Sequence, residues 1–388
     1  MRLSRIVGGC AVLAASLLFV AAASAANGHA NFRAVCPGAL SGSARCHAQV
    51  VTDAHANPQA AISPTGYGPA QFQAAYTLPS AIAGAGQTIA FVDAYDDPNA
   101  ESDLSVYSSM YGLPPCTTAN GCFSKVNQTG GTRYPRADQG WALEISLDVQ
   151  IAHAACPNCK ILLVEAKTNS FANLLAAEDY ATAHATVVSD SWGGSEFSTE
   201  TSSSFDGHFN RPGIPITVSS GDSGFGVEYP AASRYVTAVG GTTLNLNPDN
   251  TRASETVWSG AGSGCSAYEP KPSWQTDAGC PSRTVADVAA DANPNTGASV
   301  YDSYGYQGQK GWFRVGGTSL AAPLIASVYA LAGNGSSTTY GSYPYTQSSL
   351  LYDVTSGSNG SCGGYLCTTG PGYDGPTGLG TPNGVGGF

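Results

Sequence analysis

Five runs of consecutive apolar, β-branched residues punctuate the chain: QTIAFVDAY from Gln87, KILLVEA from Lys160, ATVVSDSW from Ala185, IPITVSSG from Ile214 and YVTAVGG from Tyr235. Between and after them lie stretches with helical spacing, ESDLSVYSSMYG from Glu101, GWALEISLDVQIAHAA from Gly140, SFANLLAAEDYATAH from Ser170 and TSLAAPLIASVYALAG from Thr318. Continuous apolar strands alternating with amphipathic helices predict an α/β fold with a largely parallel sheet covered on both faces. Order is expected to begin near Gly66, and residues 26–65, rich in Ala, Gly, Pro and Ser without a period, read as a short leader or irregular arm. No repeat or linker divides residues 66–388.

The helix over Gly140–Ala155 contains an anomaly. Its apolar stripe is Leu143, Leu147, Ile151 and Ala154, and Glu144 and Asp148 stand one turn apart beside it. Carboxylates at i and i+4 share a face and repel, by a few tenths of a kcal/mol when solvated and more where water is excluded. A solvated helix edge would accommodate the pair, and so would an arrangement in which one carboxyl tunes the other.

Composition narrows the setting. Arg2 and Arg5, the apolar run Ile6–Ala23 and the small residues Ala23-Ser24-Ala25 form a secretory signal over residues 1–25. No later run reaches the roughly 20 apolar residues of a membrane span, so a secreted protein, in the medium or the periplasm, is expected. With 16 Lys+Arg against 27 Asp+Glu the formal charge is −11, which disfavours nucleic acid and anionic membranes as partners. So few basic residues also limit the positive charge gained in acid. Beyond Cys10, ten cysteines fall into close pairs, Cys36/Cys46, Cys116/Cys122, Cys156/Cys159, Cys265/Cys280 and Cys362/Cys367, and export makes disulfides the expected use. Proximity offers one pairing among many, and Cys156/Cys159 alone could form a redox pair or half a zinc site. Sequons at Asn127, Asn334 and Asn359 are glycosylation acceptors only in a host with that machinery, and chance occurrences in a bacterial one.

Candidate chemistry gathers in three segments. In VGGTSLAAP, Ser319 opens an apolar helix behind two glycines, as a nucleophile beside free N–H groups or as a plain cap, and Pro323 is expected in the first turn. Of His29, His47, His55, His153, His184 and His208, none stands in a catalytic context, and His153, nine residues beyond Glu144, reads as a packed or surface residue. A carboxylate can replace imidazole in acid, where histidine is protonated, with Asp148 holding and tuning Glu144. In ITVSSGDSGFG, Asp222 follows a strand; as a turn residue it is ordinary, and protonated it would donate to an oxyanion.

GWALEISLD with Glu144 and Asp148, SSGDSGFG with Asp222 and GGTSLAAP with Ser319, in this order, resemble the sedolisin family of serine-carboxyl peptidases. VVSDSWGG from Val187 and YPAASRYVTAVGGTTL from Tyr229 extend the resemblance, which runs from Gly66 to the C-terminus. It implies a subtilisin-like, mostly parallel seven-stranded sheet and a monomeric acid endopeptidase or tripeptidyl-peptidase acting on proteins or peptides. It also implies one calcium ion, held by Asp353 and Asp374 with the carbonyls of Val354, Gly370 and Gly372, an all-oxygen set. Local disulfides and Gly317, where serine is commoner, depart from the pattern. The rival expectations are an inactive binding protein on the same fold and a neutral Ser-His-Asp hydrolase using His153 or His184.

Overall fold

The computed structural model describes Met1 and residues 31–388; the signal segment and His29 lie outside the described residues. Order begins well before Gly66. Four short strands, β1 (Asn31–Ala34), β2 (Arg45–Cys46), β3 (Gln49–Thr52) and β4 (Ala60–Ala61), precede helix α1 (Pro69–Ala75). The arm is thus extended and paired where the sequence pattern predicted irregular chain.

The central sheet is built from β5 (Thr88–Ala94), β6 (Phe123–Asn127), β7 (Lys160–Ala166), β8 (Val187–Asp190), β10 (Ile216–Ser219) and β12 (Thr237–Leu246), all parallel, with β9 (Trp192–Ser195) and β11 (Glu228–Tyr229) set apart beside it. β13 (Arg252–Val257) closes one edge antiparallel, giving seven strands in the order β13-β12-β10-β8-β5-β7-β6, and β16 (Val288–Asp291) adds an eighth by pairing with β12. Apart from the edge strand β6, the parallel strands are mostly buried, which is why they read as apolar runs.

Helices α2 (Ala100–Tyr111), α3 (Gln139–Ala155), α4 (Phe171–His184) and α5 (Thr318–Ala332) agree with the helical spacing. α3 packs on α5, on β5 and on β17 (Ala298–Tyr306), and α5 lies along β8, β10, β12 and β16. β18 (Gln309–Gly316) runs antiparallel to β17 and leads directly into α5; β3 and β4 pair with β18 and β1 with β3, making a second, five-stranded sheet. β2, β9 and β11 form a three-stranded sheet in the order β11-β9-β2.

The ten described cysteines join in the five proximity pairs. Gly84, at φ +85°, makes room for one: a Cβ there would lie 2.3 Å from Cys156 Sγ. The Cys156–Cys159 pair is therefore a packed staple, and among the described residues no group of three or more His, Cys, Asp or Glu is placed to hold a metal. No described helix is long and apolar enough to cross a membrane.

Candidate active site

The α3 helix starts at Asp138, whose side chain accepts from Gly140 N (3.0 Å) and Trp141 N (3.2 Å). The stripe predicted one apolar face, but every residue from Gly140 to Ala155 is buried, because the sheet, α2, α5 and β17 surround the helix. Glu144 and Asp148 are both 0% exposed, so the solvated-edge alternative is excluded.

Enclosure sets their electrostatics. Burial, then the nearby Asp93, push Glu144 well above the carboxylate range, while the Ser319 hydroxyl and Ala48 amide pull it down. Those two groups therefore border the carboxyl, although neither Glu144 oxygen completes a hydrogen bond of ordinary geometry. Asp148 is raised by burial, Asp93 and Glu144, opposed by Ser191, whose Oγ donates to Asp148 Oδ1 at 2.8 Å. Asp93, on β5, is pushed up to about 8 by burial, and both its oxygens lack partners. Asp190 on β8 is likewise raised by burial, then by Glu178 and Asp93. The predicted pair thus belongs to a larger buried set. Asp93 and Asp190 were not singled out in the sequence; their signal was an acid inside a fully apolar strand.

Ser319 is the second residue of α5 and fully buried, and its Oγ donates to Ser191 O at 3.2 Å. Its N-cap, Gly317, has φ +97°, a left-handed conformation that favours glycine and accounts for the departure from serine. Pro323 lies in the second turn of α5, not the first. It has no N–H to offer the Ser319 carbonyl four residues back, and Ser191 Oγ approaches that oxygen at 3.5 Å instead.

Asp222 follows β10 and reaches the start of α5. Its Oδ1 accepts from Thr318 N and Thr318 Oγ1, both at 2.8 Å, and its Oδ2 from Gln49 Nε2 at 3.0 Å. Burial raises its proton affinity, against His47, Thr318 and Gln49. Glu144, Asp148, Asp222 and Ser319 thus converge where the ends of β8 and β10 meet α3 and α5, the strand ends where α/β sheets place their sites.

The histidine alternatives do not assemble. His153 is buried with Nε2 on Pro114 O at 2.8 Å, and His184 stacks on Tyr180 with Nδ1 2.7 Å from the Tyr180 carbonyl. His47 does approach the site, from the arm, but its ring nitrogens face Ser219 Oγ (2.7 Å) and Glu228 Oε2 (3.0 Å). Neither His47 nor Glu228 was expected here, since the arm has no period and Glu228 opens a strand of only two residues.

Four of the five residues of the implied calcium site are linked by hydrogen bonds. Gly372 N donates to Asp353 Oδ2 (2.8 Å) and Gly370 N to Asp374 Oδ2 (3.2 Å), which draws both carboxylates against one glycine loop. Asp374 is 1% exposed, and nothing crowds Gly370 or Gly372 within 4 Å of a Cβ position. Two carboxylates beside an open glycine loop supply the hard oxygen chemistry that suits calcium.

The Subtilase family matches residues 122–338. Kumamolisin from Bacillus sp. (strain MN-32) is 32% identical over 366 residues, 83% of this chain and 63% of that protein. Sedolisin from Pseudomonas sp. (strain 101) is 30% identical over 368 residues, covering 83% and 60%. The chain therefore spans about three fifths of the length of these relatives. A solved structure of Pseudomonas sedolisin, a serine-carboxyl proteinase in complex with two molecules of pseudo-iodotyrostatin, superimposes with a TM-score of 0.70 at 30% identity over 83% of this chain and 96% of that one. Sphericase shares the fold, with a TM-score of 0.53 at 16% identity. Matching fold, 30% identity to the solved sedolisin over nearly its whole length and the motifs in order place this chain in the sedolisin family of serine-carboxyl peptidases, within the subtilases.

Proposed function

We propose that this chain is a secreted, acid-acting serine-carboxyl peptidase that hydrolyses peptide bonds in proteins or peptides through an acyl-enzyme on Ser319. The observation that carries the reading is the enclosed Glu144/Asp148 pair bordering the Ser319 hydroxyl, with no histidine among the described residues hydrogen-bonded to that hydroxyl. Ser319 Oγ attacks the scissile carbonyl carbon while its proton passes to Glu144. Glu144 then returns the proton to the departing amine, and water hydrolyses the acyl group by the same route. Asp148, fixed by Ser191, stands one turn along the same helix face, and burial with the nearby Asp93 keeps the proton affinity of Glu144 high, which makes the ionised Glu144 a stronger base than an exposed glutamate. Asp222, when protonated, donates to the developing oxyanion together with the Ser319 N–H at the positive end of α5.

The reactive form needs Glu144 without its proton and Asp222 with one. Neighbouring carboxyls titrate as a set, so activity should follow a bell whose limbs belong to the set rather than to one residue. Burial raises both Glu144 and Asp222, so the bell should be displaced upward from the range of exposed carboxyls. Glu144→Gln should lower kcat on a denatured protein at least about 1,000-fold at every pH, since an amide cannot accept the proton. A neutral hydrolase would instead gain activity through pH 7 and tolerate the change.

Calcium would be held by Asp353, Asp374 and the carbonyls of Val354, Gly370 and Gly372, and when bound it would cross-link the glycine loop to the strand before it. A chelator should lower the melting midpoint by about 5 °C or more, and Asp374→Asn should melt low with or without added calcium. An unchanged midpoint on chelation would remove the cation from the reading. The five disulfides support an extracellular setting.

A further inference from the structure

Three cations gather at one cavity, and no carboxylate answers them. The cavity, about 670 Å³, opens at the carboxyl ends of β6 and β7, the edge of the sheet that also carries the candidate active site, and is lined by Arg133, Arg136 and Lys167. None of the three forms an ion pair with a described residue. In a chain of formal charge −11 this is a local reversal of sign, and the walls of a cavity focus its field.

The loops that carry these cations are fixed. Asn127, at the end of β6, accepts from Thr129 N (3.0 Å) and Gly131 N (2.9 Å) and donates to Arg133 O (3.0 Å), so its side chain shapes the turn before Arg133. Gln128 accepts from Lys167 N at 2.7 Å and donates to Asn173 Oδ1 at 3.1 Å. The Arg136 guanidinium lies 5.2 Å from the centre of the Tyr95 ring, a contact that holds the group in place. Arg133 and Lys167 themselves are exposed.

The cavity also contains an enclosed carboxyl. Glu165, on β7, lines it and is 0% exposed; its Oε1 accepts from Asp97 N at 3.0 Å, while its Oε2 completes no hydrogen bond among the described residues. Burial, reinforced by Asp96 and opposed by Lys125, pushes this carboxyl up to about 9, so in acid it carries a proton. The remaining charges beside it cancel, since Lys125 Nζ meets Asp96 Oδ1 at 2.6 Å. A buried carboxyl oxygen without a partner and three unpaired cations suit one kind of guest, an anion with two acceptor oxygens.

The cavity lies a short way from the proposed chemistry. Arg136 stands two residues before the Asp138 cap of α3, and Glu144 is six residues beyond that cap, about 9 Å along the helix. An extended peptide covers about 3.3 Å per residue, so a substrate cut at Ser319 reaches the cavity about three to four residues from the cut. Tyr95 links the two places. It holds Arg136, meets the Trp141 ring of α3 at 6.4 Å between centres and donates to Asn169 Oδ1 at 3.1 Å.

We propose that this cavity is a substrate subsite for an acidic side chain, taking the carboxylate of an aspartate or glutamate about three to four residues from the scissile bond. The proposal rests on the peptidase reading and gives it a substrate class, proteins or peptides with an acidic residue at a set distance from the cut. Arg133, Arg136 and Lys167 supply the charge, and the protonated Glu165 donates to a carboxylate oxygen. Guanidinium forks match the two oxygens of a carboxylate, which sets it apart from the neutral amide of the same shape.

Two assays near pH 5, where an exposed carboxyl is ionised, test the proposal. Short peptides carry glutamate or glutamine, one position at a time, at the second to fifth residues on either side of the bond cut. At one position wild type should show a kcat/KM at least about tenfold higher for glutamate than for glutamine, and about 0.5 M salt should shrink that ratio. In Arg133→Gln/Lys167→Gln the ratio should fall to within about twofold. Separately from turnover, fluorescence polarisation should show the labelled glutamate peptide binding Ser319→Ala more tightly than its glutamine counterpart, and the difference should vanish when Arg133→Gln and Lys167→Gln are added. No glutamate preference at any position, or one that survives the double substitution, would overturn the inference and leave the peptidase reading standing. Selective binding with no hydrolysis of any peptide by wild type would remove the peptidase reading and leave the cavity as a site for acidic peptides. Neither binding nor hydrolysis would remove both.

Discussion

Ser319→Ala should abolish turnover of a denatured protein in acid, by about 10⁴-fold or more, while the melting midpoint stays close to that of the parent. The two halves of this expectation come from different parts of the geometry. The hydroxyl is the only atom lost, and its single hydrogen bond goes to Ser191 O, which still accepts from His47 N. No buried polar atom is orphaned, so the stability change should stay within about 1 kcal/mol. Chemistry, by contrast, loses the atom that forms the acyl bond. Hydrolysis rates and calorimetry on the same preparation separate the two, and a variant retaining a tenth of the parental rate would remove Ser319 from its role.

The melting midpoint of Ser319→Ala, a form that cannot digest itself, should fall by more than about 10 °C as pH rises from about 4 to about 8. Burial pushes Asp93, Asp97 and Glu178 up to about 8 and Glu165 up to about 9, whereas in an unfolded chain such groups titrate near 4. Between those limits the native state holds protons that the unfolded state has released, so raising the pH favours unfolding. The stabilisation is complete below about 4 and is lost as pH climbs through about 8. Glu228 has the opposite sign: despite burial, His47 and Arg45 hold it down at about 2, so its contribution fades only as pH drops from about 4 toward 2. The two signs put the maximum of stability near pH 4. A midpoint that is flat or rises toward neutrality would show that the buried carboxyls are ionised in the folded chain.

The parallel strands were legible because both faces are covered. Thr88–Ala94 and Lys160–Ala166 expose only their first residues, and an unbroken apolar run needs no period to be seen. Ala298–Tyr306 was not legible, since its burial follows no clean alternation and its role depends on packing against α3 and pairing with β18. The arm failed for a related reason: strands of two to four residues carry no period, and only the cleft and a disulfide make Arg45–Cys46 extended. Within the site, Glu144, Asp148, Asp222 and Ser319 stood out by residue type and spacing. Asp93, His47 and Glu228 act through contacts far apart in sequence, which no local pattern records.

The proposed base rides on α3 and the proposed nucleophile on α5, two helices packed against each other and joined by no shared turn. Their reacting atoms are therefore separated by a distance set by the volumes of the buried side chains between the two helices. Trimming one methylene from that seam would let the helices settle by a fraction of an ångström. Proton transfer is sensitive on that scale, so the turnover number would register the change well before the melting curve did.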